Sequence, residues 1–272
     1  MKTLYVSDLD GTLLDKSAKL TSKSAEIINK LIDNGMLFSV ATARSASSAE
    51  ILKQLSINLP CIHLNGVLIY DFPNKKYIDC TPLDIKTADK ILEILKTFDR
   101  MSFVYKFDTD CGINVEFEKL SNDVERDFFN ARKDKDYKSF KQTEKITVSD
   151  DDKVIYFTMV DSYERLLPIY TEIKKLPYAK ATLYSDNYSE LYFLEIFSAD
   201  ATKAAGLTKL KKMTGADRVV AFGDNLNDID MLKTADVGIA VGDCVEEVKK
   251  YADVIIGNSY EDGVAEYLKN IF

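Results

Sequence analysis

The chain of 272 residues contains no tryptophan, one histidine, four cysteines and five prolines. A single imidazole, His63, rules out a His-rich metal cage and leaves any Ser-His-Asp relay dependent on that one ring. Cys61, Cys80, Cys111 and Cys244 lie far apart with no C-x-x-C pair, so they read as buried thiols in a reducing compartment, not as a disulfide framework or zinc site. No apolar run approaches the ~20 residues that cross a bilayer, which excludes a membrane span. The first carboxylate, Asp8, comes too early for a signal-peptide apolar region, and the expected location is cytoplasmic. Positive charge is in deficit: 36 Lys+Arg against 44 Asp+Glu give a formal net charge of −8. Nucleic acid and anionic membranes attract clustered cations, so neither is expected as a partner. What remains is an ordinary globular composition, 46% apolar and 29% charged, long enough for one large domain or two moderate ones.

Glycine is also missing from the middle. Only Gly112 falls between Gly66 and Gly206, whereas the other glycines crowd the two ends of the chain. This distribution predicts a domain built from both termini, residues 1–81 and 199–272, with a different domain inserted at 82–198. At the N-terminal end, strand-like runs Thr3–Leu9, Met36–Thr42 and Cys61–Asn65 alternate with helical patterns at Thr21–Asn34 and Ala46–Leu55. A hairpin is expected over Val67–Asp71 and Lys75–Cys80. The C-terminal end repeats the alternation: helix Lys203–Met213, strand Arg218–Phe222, helix Asp228–Thr234, strand Val237–Val241, helix Val245–Ala252, strand Asp253–Ile256 and a last helix, Gly263–Asn270. Such alternation implies an α/β fold with a Rossmann-like parallel sheet and right-handed crossovers. The insert reads as an α+β unit: helices Asp84–Phe98 and Tyr163–Lys175, each followed by two strand-like runs (Met101–Phe107 with Ile113–Phe117, and Ala181–Ser185 with Leu191–Phe197). The charge-dense stretch Arg132–Lys145 reads as solvated surface.

Chemistry concentrates at strand ends, where ligands of open α/β sheets bind. Asp8-Leu9-Asp10-Gly11-Thr12 follows the first strand, and two carboxylates two residues apart beside a glycine can converge on one small volume. Their repulsion calls for a cation or a proton, and hard Mg²⁺ suits carboxylate ligands. Gly223-Asp224-Asn225-Leu226-Asn227-Asp228 follows another apolar strand with further oxygen ligands. Thr42-Ala43-Arg44 offers a hydroxyl and backbone N–H groups for an oxyanion at a helix start. Lys203 opens the first helix after the insert and can supply a point charge.

Asp8-x-Asp10-Gly11-Thr12-Leu13, Thr42 with Arg44, Lys203 and Gly223-Asp224-x-x-Asn227-Asp228 resemble the four ordered motifs of the haloacid dehalogenase superfamily. The long insert, Asn65-Gly66 and the ending Glu261-Asp262-Gly263-Val264-Ala265 are similar to its Cof-type phosphatases, with a large α/β cap between the second and third motifs. The resemblance implies that Asp8 is a nucleophile forming an aspartyl-phosphate and that Asp10 is the general acid and base. It implies Mg²⁺ held by the Asp8 carboxylate, the Asp10 carbonyl and Asp224, with Asp228 in support. Thr42, Ala43, Lys203 and Asn227 then bind or orient the phosphoryl group. Carboxylate Asp10, where ion-pumping relatives carry Thr, favours fast hydrolysis. Ala43 and Ala204 stand where the family often has Gly, and alanine resists φ > 0.

The implied activity is hydrolysis of small phosphorylated metabolites such as sugar phosphates, nucleotides or phosphorylated cofactors, under a cap that closes to exclude water. The alternatives are a phosphomutase or phosphotransferase, a phosphoacceptor signalling module, and a phosphate-ester-binding protein. Read singly, the residues have plainer roles: Thr42 and Asp224 to Asp228 as helix caps, Arg44 as the partner of a core carboxylate, and His63 as a packed, hydrogen-bonded ring.

Overall fold

Strand β1 (Thr3–Ser7) is apolar and β-branched, and every residue after Thr3 is buried. Helix α1 (Ser22–Asp33) starts where the Thr21 side chain accepts the Ser24 N–H at 3.0 Å, and ends before Gly35. Strands β2 (Leu37–Val40), β3 (Cys61–His63), β4 (Leu68–Asp71) and β5 (Lys76–Cys80) complete the N-terminal part. The computed structural model describes all residues except 16, 110–111, 121, 135–137 and 186–189. It divides into two compact units, Met1–Asp79 with Thr202–Phe272, and Cys80–Ala201.

The segment expected as helix Ala46–Leu55 is instead two short 3₁₀ pieces, Ala46–Ser48 and Glu50–Gln54. Ser45 bonds the hydroxyls of Ser47 at 3.0 Å and Ser48 at 2.8 Å, a local alternative to the helical ladder. Strand β3 meets the parallel sheet through an isolated bridge from Ala41 to Ile62, and pairs antiparallel with β4.

The inserted unit runs α2 (Ile85–Thr97), β6 (Phe103–Asp108), β7 (Gly112–Phe117), α3 (Asp123–Asn130), β8 (Lys138–Gln142), β9 (Val154–Asp161), α4 (Tyr163–Ile173), β10 (Ala179–Ser185) and β11 (Tyr192–Ser198). Its six-stranded sheet has the order β10-β11-β9-β6-β7-β8, antiparallel except for the β7–β8 pair. The pattern reading passed over α3, β8 and β9. Every residue of β9 is buried, so it lacks the alternation that marks a half-buried strand. Strand β8 lies in the charge-dense stretch and is mostly exposed, as an edge strand rich in charge should be.

The C-terminal part returns to the first unit with α5 (Lys203–Thr214), β12 (Arg218–Gly223), α6 (Ile229–Thr234), β13 (Val237–Ala240), α7 (Glu246–Lys249), β14 (Val254–Ile255) and α8 (Gly263–Ile271). The parallel sheet has the order β14-β13-β12-β1-β2, an α/β core with β1 flanked by β12 and β2. Its hydrophobic core joins Leu4, Val6, Phe38, Val40, Val219 and Phe222 to Ile28 of α1 and Leu268 of α8. Asp262 ties those two helices together: it accepts the Thr21 hydroxyl at 2.5 Å and the Ser24 hydroxyl at 2.8 Å. Cys61, Cys80 and Cys244 are buried, and Cys111 lies outside the described residues. Among the described residues no helix is long and apolar enough to cross a membrane.

Candidate active site

Three neighbouring strands deliver the candidate residues to one end of the parallel sheet. Pairing of Ser7 with Phe222 and of Ser7 with Val40 brings the chain past β1 beside the chain past β12 and β2. Asp8 N–H still donates to Phe222 C=O at 2.9 Å, so Asp8 sits at the strand's last hydrogen bond. The chain then makes one wide turn, Leu9–Leu13, closed by Leu14 N–H on Leu9 C=O at 2.9 Å. Gly11 occupies φ +82° there, and a Cβ on it would lie 2.5 Å from Asp224 Oδ2. Only glycine allows both the turn and the close approach of the second acidic segment.

The Asp8, Asp224 and Asp228 carboxylates present oxygens within 4.8 Å of one another. Lys203, the first residue of α5, lies buried among them, its Nζ 2.5 Å from Asp8 Oδ1 and 2.6 Å from Asp228 Oδ1. Asp228 is fully buried, and its other oxygen accepts the N–H groups of Asp224 at 3.1 Å and Asn225 at 3.0 Å. Thr12, to which the sequence reading gave no role, donates its hydroxyl to Asp224 Oδ1 at 2.9 Å. The signal was its place in the Asp8 to Thr12 segment.

Burial dominates the electrostatics. It pushes the Asp8 carboxyl up to about 7 against the pull of the Lys203 ammonium, and it raises Asp224 as well. For Lys203 burial disfavours the charge, but the two carboxylates outweigh it and the ammonium is held more firmly than usual. One ammonium thus faces three carboxylates in a site largely closed to water. A hard divalent cation suits such an all-oxygen set, and the Asp8 and Asp224 oxygens not taken by Lys203 or Thr12 are the ones to hold it.

Asp10 does not place its carboxylate in this cluster. Its side chain is half-exposed and pairs with Arg44, Oδ2 accepting Nε at 2.8 Å and Oδ1 accepting Nη2 at 2.5 Å. The Asp10 carboxylate is therefore not among the oxygens that converge where a metal ion could be held. Arg44 has the partner expected of it, a carboxylate on the core.

Thr42 is fully buried just past β2. Its N–H donates to Ile62 C=O at 2.9 Å, and its hydroxyl oxygen accepts Arg44 N–H at 3.0 Å. Ala43 is not among the residues with positive φ, so its methyl costs no backbone strain. Ala204 lies in the first turn of α5, where alanine is favoured. Asn227 donates its amide to Asn65 Oδ1 at 3.1 Å. Asn65 precedes Gly66, whose missing Cβ lets this loop approach Thr202, the N-cap of α5; a Cβ would lie 2.1 Å from Thr202 C=O.

His63 is buried with Nδ1 3.0 Å from Arg44 C=O, so Nδ1 carries the proton and donates it. Burial pushes its pKa down to about 4, and the ring stays neutral near pH 7. It packs rather than catalyses, as expected.

The sequence profile of the haloacid dehalogenase-like hydrolases matches residues 5–268. The chain belongs to that family. It is a phosphatase of the family, with phosphatases as relatives along its full length. It is similar to the 5-amino-6-(5-phospho-D-ribitylamino)uracil phosphatase YitU of Bacillus subtilis, 26% identical over 99% of this chain and 97% of the relative. The pyridoxal phosphate phosphatase YbhA of Escherichia coli is 24% identical over 96% of this chain and 95% of its own. Among solved structures, a haloacid dehalogenase-like hydrolase from Bacteroides thetaiotaomicron covers 100% of both chains with a TM-score of 0.68 and 26% identity.

Proposed function

We propose that this phosphatase is a Mg²⁺-dependent phosphomonoesterase that hydrolyses small phosphorylated metabolites through an aspartyl-phosphate on Asp8. The observation that carries the reading is the buried Asp8 carboxylate, fixed at the end of β1 and gripped by Lys203 beside Asp224 and Asp228. Asp8 Oδ attacks phosphorus, and the bond from phosphorus to the ester oxygen breaks. Asp10 gives its proton to that departing oxygen. In the second half it takes a proton from the water that attacks the aspartyl-phosphate, releasing inorganic phosphate and restoring the Asp8 carboxylate.

Lys203, the Thr42 hydroxyl and the Ala43 N–H meet the charge on the phosphoryl oxygens, and Asn227 is oriented toward them by Asn65. Asp8, the Asp10 carbonyl and Asp224 would hold Mg²⁺, with Asp228 in support; when bound it supplies positive charge for the phosphoryl oxygens and keeps Asp8 ionised. The substrates of the named relatives, a phosphorylated ribityl-uracil and pyridoxal phosphate, favour sugar-like or cofactor-like phosphate esters. The buried cysteines and acidic surface suit a cytoplasmic enzyme acting on such metabolites.

The test is Mg²⁺-dependent phosphate release from an aryl phosphate and a metabolite panel, for wild type and Asp8→Asn in parallel. Release that needs Mg²⁺ and disappears in the variant is the expected result. Activity that survives in Asp8→Asn would remove the covalent mechanism. Transfer of phosphate between positions of one sugar, without release, would favour a mutase.

A further inference from the structure

We propose that Arg44 is the positioning residue that aims the Asp10 carboxylate, a role that rests on the reading of Asp10 as the proton donor. The main chain at Asp10 is set by the Gly11 turn, but a half-exposed aspartate at such a turn still has its own rotamers. Arg44 removes that freedom. Nε and Nη2 each take a different Asp10 oxygen, a fork that fixes the plane of the carboxylate as a single ammonium cannot. The fork uses one lone pair on each oxygen, and a remaining position can carry the proton that passes to the leaving oxygen.

Arg44 is itself held along its length. Its N–H is on the Thr42 hydroxyl at 3.0 Å, and its C=O accepts His63 Nδ1 at 3.0 Å and Leu64 N–H at 3.2 Å. Its Nη1 reaches Ser48 C=O at 3.4 Å. The buried His63 ring that anchors it packs edge-on against Tyr70 and beside Phe72. An ordinary surface pair such as Lys53 with Glu50 is about 70% exposed on both sides, and pairs that open to water hold their groups only weakly. The polar anchoring of a partly exposed arginine makes sense when the group it grips must point one way.

The readout is release of the leaving alcohol in the first turnover, with Mg²⁺ present, from an alkyl phosphate and from 4-nitrophenyl phosphate. The alkyl ester needs a proton on its leaving oxygen, and the aryl ester scarcely does. Asp10→Asn should slow the alkyl ester by ~10²-fold or more and spare the aryl ester, as loss of a general acid does. Arg44→Ala should slow the alkyl ester roughly 10- to 100-fold, the cost of a misplaced catalytic group, and also spare the aryl ester.

Added to Asp10→Asn, Arg44→Ala should cost nothing further, because it acts only through Asp10. Arg44→Lys keeps the charge without the fork and should behave like Arg44→Ala; it also carries the test if the alanine variant does not fold. Equal losses on both esters, additivity with Asp10→Asn, or a lysine variant as fast as wild type would each overturn the proposal. If Asp10→Asn shows the ester dependence and the Arg44 variants do not, only the Arg44 role falls. If Asp10→Asn itself lacks that dependence, Asp10 is not the donor and the Arg44 role falls with it.

Discussion

Each unit of this protein holds a lysine drawn in from the surface between two carboxylates, Lys203 in the first and Lys106 in the inserted one, and the two behave differently. Lys203 sits between Asp8 and Asp228 at 2.5 and 2.6 Å, its side chain 1% exposed. Lys106 sits between Glu116 and Asp152 at 3.0 and 3.2 Å, its side chain 13% exposed, and also donates to Thr147 C=O at 2.9 Å. In the inserted unit one negative charge is left over and water reaches it, so the cluster is a brace between β6, β7 and the turn before β9. In the first unit a third acid, Asp224, joins Asp8 and Asp228, and among the described residues Lys203 is the one cation paired with the three. Burial and one extra carboxylate separate a strut from a site that calls for a cation.

The largest way to break this comparison is Lys203→Met. Removing one partner from a buried pair leaves Asp8 and Asp228 uncompensated, which costs about 3–5 kcal/mol. Denaturant unfolding without added metal should show a loss of that size, and phosphate release should vanish. Part of the lost stability should return with Mg²⁺, because a cation at the same carboxylates replaces the missing ammonium. A variant as stable as wild type without metal would mean that Lys203 does not offset the acids.

The next effect sharpens the difference in protonation. Asp8 is raised from 3.8 to about 7, so between those values the folded protein binds more protons than the unfolded chain. The contribution of this group to stability is therefore greatest at low pH and is lost as pH rises toward 7, and Asp224, also raised, acts in the same direction. Mg²⁺ binds the ionised carboxylates, so the rise in melting temperature that it produces should be larger at pH 8 than at pH 5.5. An equal rise at both pH values would place the ion away from Asp8.

Much of the first unit was legible because its chemistry follows strands of plain pattern. The runs ending at Ser7, Val40 and Gly223 are largely apolar, and β-α alternation makes them parallel, so their ends fall on one side of the sheet; that β1 lies between β12 and β2 is visible only in the structure. The direction in which the Asp10 side chain turns was not legible. It depends on the Arg44 fork, and Arg44 depends on a buried histidine reached across the Ala41–Ile62 bridge. Serine-to-serine bonds hid the 3₁₀ pieces after Arg44 behind an apparently helical pattern. The inserted unit was half legible: α2 starts at a clear cap, Asp84, whereas β9 is buried on both faces and offers no period to read.

The smallest effect tests the strut directly. Lys106→Met removes two partly screened ion pairs and one hydrogen bond to Thr147 C=O, while the apolar part of the side chain keeps its packing. Partly exposed pairs contribute about 0–1 kcal/mol each and a single hydrogen bond about 1 kcal/mol, so the loss should be about 1–2 kcal/mol. Glu116 and Asp152 remain near enough to water to stay solvated, which is why the cost stays well below that of Lys203→Met. Phosphate release should continue at the wild-type rate, and added Mg²⁺ should not recover the lost stability, because among the described residues these two carboxylates belong to no group of three acids with converging oxygens. Recovery with Mg²⁺ would show that two carboxylates alone suffice to hold the ion, and the distinction drawn from Asp224 would fail.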